Sequence, residues 1–416
     1  MTSGEFQLNF VNRISFNRYG GTEDELRAAN IILDELKALG GEGHIEEFKV
    51  PAYKVSRAKF TITEPFVREI KVHGVGRTGQ TPVDGIEAEL LYVENAEEYD
   101  LRDAKGKIIL TNRTGYEPYK RIVQSGALGF IVFSGQFCDD PKNTDLEMRM
   151  FRPIHCENGT IPGVSMRTAD AIHMIQDGAK KVRMTVRQKE FDNTSRNVVA
   201  FIEGTEFPDE EMVMTAHYDS TIYGLGSWDN ASGSANLLWM YKHFLENPPK
   251  RSIRFIWCGS EEQGLLGSKA YSNAHADEVE KMYFCINFDM TGTTLGAGQT
   301  FITGTPALKD YVVSLTRELG YTGEIMDRIH SSDSAPFCLM GVPAVGIARS
   351  GQAGGHSRFD IPWPLCASAL ERATDFAIVL AERFLNSKIP PVAKEISPDN
   401  QEKVKNYFLY GKKIDK

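Results

Sequence analysis

The sequence predicts an α/β fold: a mixed, mostly parallel sheet flanked by helices, with a β-rich insertion near its N-terminus. Three observations predict it. From Arg196 onward, apolar strand-like runs alternate with helical stretches, the pattern of a sheet covered on both faces. Between residues 58 and 191 the chain changes to short β-like runs separated by turns. Residue types that ligate metals recur where the strands of the α/β part end. The implied boundaries are 1–57 and 192–388 for the α/β domain, 58–191 for the insertion and 389–416 for a tail.

The first helix is expected to open at Thr22, where Thr22 and Glu25 form a capping-box pair. Leu26, Ala29, Leu33 and Leu36 recur at helical spacing, and Gly40-Gly41 ends it. In the insertion the strand candidates are Glu89–Val93, Lys107–Thr111, Phe130–Ser134, Ile161–Met166 and Val182–Val186, with a helical stretch at Tyr119–Ser125. Gly74-Val-Gly76-Arg-Thr-Gly79 fits the spacing of a dinucleotide fingerprint, but Gln-Thr-Pro-Val-Asp-Gly follows it and cannot open the required helix.

In the α/β part, strands are expected at Asn197–Ile202 and Met212–Ala216, then a helix over Ala231–Leu245 stopped by Asn247-Pro248-Pro249. The strand Ser252–Cys258, a helix near Ser268, the strand Met282–Asp289 and a helix over Ala307–Leu319 follow. The strand Ala344–Ala348 and a helix over Cys366–Phe384 complete the core. The polar, Lys-rich stretch from Ser387 reads as a loosely held end.

Bulk properties narrow the function classes. Of 416 residues, 47 are Lys or Arg and 56 are Asp or Glu, leaving a net charge of −9 that argues against a nucleic-acid partner. The longest apolar run, Ala127–Phe133, falls well short of the ~18 residues of a membrane span. The opening MTSGEFQLNFVNRISF lacks the basic and apolar blocks of a signal peptide. The six cysteines are scattered, with no CxxC, and read as reduced thiols of a cytoplasmic protein. In that compartment the sequons at Asn158 and Asn193 carry no meaning. A homo-oligomer stays open, and neither a G-x-S-x-G motif nor a P-loop occurs.

Five places put ligand residues at strand ends: Ala216-His217-Tyr218-Asp219, Trp228-Asp229-Asn230, Gly259-Ser260-Glu261-Glu262, Asn287-Phe288-Asp289-Met290 and Gly355-His356-Ser357. Singly each has a bland reading; Asp229 before Asn-Ala-Ser-Gly, for instance, suits a helix cap. Jointly they supply two metal sites. With Asp229 as a bridge, His217 and Glu262 complete one site, and His356 and Asp289 the other. Imidazole plus carboxylate suits two Zn²⁺, with Co²⁺ or Mn²⁺ tolerable. Glu261 is then free to act as general base. Asp219, two residues past His217 on extended chain, is placed to orient that imidazole.

These residues resemble peptidase family M28, which includes leucyl-type aminopeptidases. The matching motifs are His217-x-Asp219, Asp229-Asn230, Glu261-Glu262, Asp289, His356-Ser-x-x-Asp360 and the stretch Gly259–Ser268. The resemblance covers about 196–385 closely and 1–57 loosely. It implies the zinc-peptidase fold, the same ligand and base roles, a peptide substrate, and a cis peptide between Asp229 and Asn230. Residues 58–191 resemble a protease-associated (PA) domain through Ala104–Leu110, Gly126–Val132 and Ile161–Ser165. Two departures stand out. The family often reads Ser-Asp-His where this chain has Ser332-Asp333-Ser334, and the Tyr oxyanion donor that some members place a few residues earlier is missing from Arg328-Ile329-His330-Ser331. His330 is the candidate replacement.

The leading expectation is an aminopeptidase. A carboxypeptidase or N-acyl deacylase on the same metals is the alternative, and a metal-free receptor that kept the fold is the third. A carboxylate-lined pocket favours an amine, whereas an Arg such as Arg349 near the metals favours a carboxylate.

Overall fold

A computed structural model describes residues 1–140, 146, 149–321 and 323–409. The chain divides into two compact units, Met1–Val50 with Asn193–Phe408, and Pro51–Asp192. It passes from one to the other within two long strands, Gly43–Glu64 and Lys181–Ile202.

The larger unit is built on a mixed sheet. Its central four strands, in the order Ala344–Arg349, Met282–Phe288, Phe207–His217 and Arg251–Cys258, are all parallel. Antiparallel neighbours close each side of this block: Gly298–Thr303 beside Ala344–Arg349, and residues 198–202 beside Arg251–Cys258. The period-two alternation of each strand feeds two cores. Met212, Met214, Ala216, Phe255, Trp257, Phe284 and Ile286 face one cluster, with Ile32, Leu238, Leu315 and Phe376 from the helices covering it. Val213, Ile256, Cys258 and Cys285 face the other, with Tyr271, Phe337 and Val404. Strands buried on both faces read as continuous apolar runs, which is why the sequence located them well.

Elsewhere the structure departs from the sequence reading. Ser3–Ile14 is a helix with a complete Thr2/Glu5 capping box, where no element was expected. At Thr22 the hydroxyl does accept from the Glu25 backbone N–H, but the Glu25 carboxylate turns away to the Gly21 N–H and Ser195 Oγ. The strands Gly298–Thr303 and Gly323–Met326 were also missed. The expected loose tail is corrected most strongly. Residues Pro398–Phe408 form a helix whose Val404 is 1% exposed in the second core cluster. Its polar composition reflects one buried stripe on an otherwise solvated helix. Val404→Ala is expected to cost about 2 kcal/mol of stability, read from denaturant unfolding.

The smaller unit carries a run of parallel strands, Ile86–Tyr92, Ile108–Leu110, Gly129–Ser134 and Gly163–Arg167. Helices Tyr116–Gln124 and Thr168–Gln176 accompany them. Alternation again splits the strands between two cores, with Ile108, Leu110 and Ile131 on one side and Ile109, Phe130 and Val132 on the other. The Gly74–Gly79 segment enters a short strand and isolated bridges rather than a helix.

Candidate metal centre

Strand register assembles the site. His217 is the last residue of its strand and pairs with Cys258 of the parallel neighbour. On the other side Thr215 is aligned with Asn287, so His217 and Asp289, each two residues further on, leave adjacent strands side by side. His217 Nε2 stands 3.4 Å from Asp289 Oδ1. Asp229 lies in the turn Ser227–Ala231 that precedes the helix Ser232–Glu246, and the Asp229–Asn230 peptide is cis. Asn230 pins this turn to the end of the Met282–Phe288 strand. Its Nδ2 donates to the Phe288 carbonyl, and its Oδ1 accepts from the N–H groups of Gly233 and Met290.

Asp229 is the common member of two ligand groups. His217, Asp229 and Asp289 form one, and Asp229, Glu262 and His356 the other, with the ligand atoms of each within 4.8 Å of one another. Asp229 Oδ1 is 3.1 Å from His217 Nε2, and Oδ2 is 3.0 Å from His356 Nε2. Glu262 Oε2 lies 3.1 Å from the same His356 nitrogen. The pairing expected from sequence, His217 with Glu262 and His356 with Asp289, is therefore corrected. Neighbouring strands tie His217 to Asp289, whereas Glu262 sits in the turn beyond Cys258 and meets the His356 loop.

The donor chemistry fits a pair of cations. Asp219, Asp229, Glu261, Asp289 and Asp333 crowd the buried His217, while Asp229 and Glu262 flank the more exposed His356. Burial opposes charge on His217, but Glu261, Asp219, Asp229 and Asp289 around it outweigh that and hold its pKa well above the usual value. Hydrogen bonds to Asp229 and Glu262 push His356 up to about 11. Burial raises Glu262 to about 7 and Glu261 well above its usual value. The clustered carboxylates favour positive charge at both positions, which divalent ions would supply when bound. Glu262 Oε1 and Asp289 Oδ1 are buried without a hydrogen-bond partner among the described residues, which fits carboxylates that ligate a cation.

Around these groups lie residues that orient them. Asp219, fully buried, is 3.3 Å from His217 Nδ1 and accepts from the backbone N–H groups of Glu261 at 3.0 Å and Glu262 at 3.3 Å. One carboxylate thus faces a ligand histidine and holds the turn carrying Glu261. Glu261 belongs to neither ligand group, yet its Oε2 comes within 3.9 Å of His217 Nε2. Asp360 accepts from the N–H groups of Trp228 at 2.7 Å and Asp229 at 3.1 Å, fixing the segment that presents the shared carboxylate. Its motif, His356-Ser-x-x-Asp360, was visible in the sequence, although this role was not.

Arg18 was missed altogether. Fully buried, its guanidinium donates to the carbonyls of Ile14, Phe16, Tyr218, Leu225 and Gly226, which fastens the loop leading to Asp229. A lone Arg in Asn17-Arg18-Tyr19 has no spacing that would mark it. His330 is held differently from the ligands. Its ring stacks on Phe301 with centroids 4.1 Å apart, and burial lowers its pKa. Its Nδ1 is buried without a hydrogen-bond partner among the described residues.

Residues 197–381 match the model of peptidase family M28. Among curated proteins the chain is similar to aminopeptidase YwaD of Bacillus subtilis, 28% identical over 338 residues that cover 78% of this chain and 70% of that protein. It is similar to human carboxypeptidase Q at 26% over 358 residues, covering 79% and 73%. Among solved structures it resembles BSAP, a zinc aminopeptidase from Bacillus subtilis, with a TM-score of 0.78 at 21% identity over 95% of this chain and 98% of that one.

Proposed function

We propose that this chain, a member of peptidase family M28, is a two-zinc aminopeptidase that releases N-terminal residues from peptides with Glu261 as general base. One observation carries the reading: Asp229 turns one oxygen toward each of two ligand groups, and Glu261 stands beside them while belonging to neither. His217 with Asp289, and Glu262 with His356, would hold the two ions. Bound there, divalent cations supply Lewis acidity toward a scissile carbonyl and lower the pKa of water. Glu261 takes the proton of the attacking water and returns it to the leaving amine. Its place beside both ligand groups, belonging to neither, suits both transfers. Asp219 keeps His217 and the Glu261 turn in register with each other. His330 is proposed as a donor to the developing oxyanion, on the strength of its unpartnered Nδ1.

The choice of an amine rests on charge. Carboxyl groups dominate the site and complement an ammonium. Arg349, the candidate for holding a substrate carboxylate, donates its Nε to the Thr293 carbonyl at 2.7 Å, a contact that leaves its two Nη groups to be judged by the substrate test. The relatives named for aminopeptidase activity support this reading. Similarity to carboxypeptidase Q supports the second one, exopeptidase action at the other terminus on the same two ions. Free-amine, N-blocked and C-blocked dipeptides, offered to zinc-loaded protein, separate the two. Cleavage is expected only where the amine is free, and turnover of the N-blocked substrate would reject the aminopeptidase.

Asp219→Ala is expected to weaken zinc binding by about 10–100-fold, measured by competition with a metal indicator. Residues 58–191 are proposed to be a PA-type domain, supported by the stretches that resemble one and by the compact unit Pro51–Asp192 that contains them. Among the described residues no helix is long and apolar enough to cross a membrane. A cytoplasmic location is proposed with the chemistry, supported by six cysteines that stand as free thiols.

A further inference from the structure

The turn after the Arg251–Cys258 strand places both Glu261 and Glu262, and its backbone is constrained. Ser260 has a φ of 52°, a left-handed conformation that residues with a side chain rarely adopt. Such a conformation persists only where the surroundings enforce it. Asp219 holds the turn from one direction through the Glu261 and Glu262 N–H groups. From another, Ser260 Oγ donates to Ser195 Oγ at 2.8 Å, and Ser195 Oγ donates to Glu25 Oε1. Glu25 Oε2 accepts from the Gly21 N–H at 2.9 Å, with Arg196 Nη1 3.7 Å away. Glu25, Ser195 and Ser260 are all fully buried.

Packing leaves this chain of contacts no slack. A Cβ on Gly259 would come within 2.3 Å of the Arg196 carbonyl oxygen and 2.6 Å of Glu25 Oε1. One on Gly20 would come within 2.0 Å of Ser260 Oγ. Gln263 adds a tie by donating to the Gly20 carbonyl at 2.8 Å. Burial raises Glu25 to about 8, against the hydrogen bonds from Ser195 and Gly21 that favour its carboxylate, and both of its oxygens are engaged as acceptors.

We propose that Glu25, outside every motif of the metal centre, is a positioning residue for the general base, acting through Ser195 and Ser260 on the turn that carries Glu261. The proposal rests on the aminopeptidase reading above. The competing role is that of a helix-start residue, since Glu25 lies in the first turn of Glu23–Ala38. Loss of a purely local helix contact would lower the melting temperature and leave kcat alone.

The test uses the full-length, zinc-loaded protein and a free-amine dipeptide. Glu25→Ala is expected to lower kcat by about 10–100-fold, with KM within about twofold and zinc content unchanged. Glu25→Gln, which keeps an acceptor for Ser195, restores most of the rate. Ser260→Ala reproduces the loss, and the double variant Glu25→Ala/Ser260→Ala is no worse than the poorer single one. Amide hydrogen exchange supplies a readout independent of turnover: Glu25→Ala should accelerate exchange at residues 260–262 while the central strands keep their protection. An unchanged kcat, losses that multiply in the double variant, or unaltered exchange at that turn would each overturn the proposal. If Glu25→Ala fails to fold, Glu25→Gln and Ser260→Ala decide by the same criteria. Wild-type protein inert toward every peptide defeats the aminopeptidase reading instead, and the exchange measurement still judges the positioning role.

Discussion

Replacing Glu261 by glutamine is expected to leave two zinc ions bound and to reduce kcat by about 10³-fold, some 4 kcal/mol in barrier height. The expectation separates cleanly from a ligand effect because Glu261 belongs to neither ligand group, while the adjacent Glu262 belongs to one. Glutamine keeps the length and shape of the side chain and cannot accept the proton of water. The backbone hydrogen bond from residue 261 to Asp219 does not involve the side chain and survives. Metal analysis and steady-state kinetics on the same preparation make the comparison. A variant with wild-type turnover removes Glu261 as base; a variant without zinc makes it a ligand.

How much of this site was legible beforehand depends on the range of the interaction. His217, Glu261, Glu262 and Asp289 were legible because a strand end is a local event, marked by an apolar run such as Met212–Ala216 giving way to polar residues. Asp229 instead sits in the turn before a helix and His356 in a loop beyond Arg349, so the strand-end reading of those two is corrected and only their motifs marked them. The partners of all six were not legible. Joining His217 to Asp289 requires knowing that Phe207–His217 lies beside Met282–Phe288, in a register that aligns Thr215 with Asn287. No spacing in the chain encodes that order. The same limit hid Arg18, which works by reaching carbonyls some two hundred residues away. Among the elements, Gly298–Thr303 escaped notice because Gly-Gln-Thr-Phe-Ile-Thr holds only two strongly apolar residues. Ser3–Ile14 escaped although Thr2 and Glu5 form the capping pair that was sought, and found only in part, at Thr22.

Asp229→Ala is expected to have the largest effect of any single change: zinc content falls from about two per chain to near zero, and turnover disappears with it. Its two oxygens face different histidines, so its removal takes a ligand from both groups at once. Asp289→Ala and Glu262→Ala, by contrast, each weaken one group and should leave about one ion bound. Double variants then decide which residues share an ion. His217→Ala/Asp289→Ala strips a single group and is expected to keep the zinc held near His356. His217→Ala/Glu262→Ala takes one ligand from each group and is expected to lose both ions. The pairing read from sequence, with His217 and Glu262 on one ion, requires the opposite order. Zinc counted per chain by elemental analysis after gel filtration reports the outcome without reference to activity. Two ions retained in Asp229→Ala would end the shared-carboxylate reading, since no other residue lies in both ligand groups.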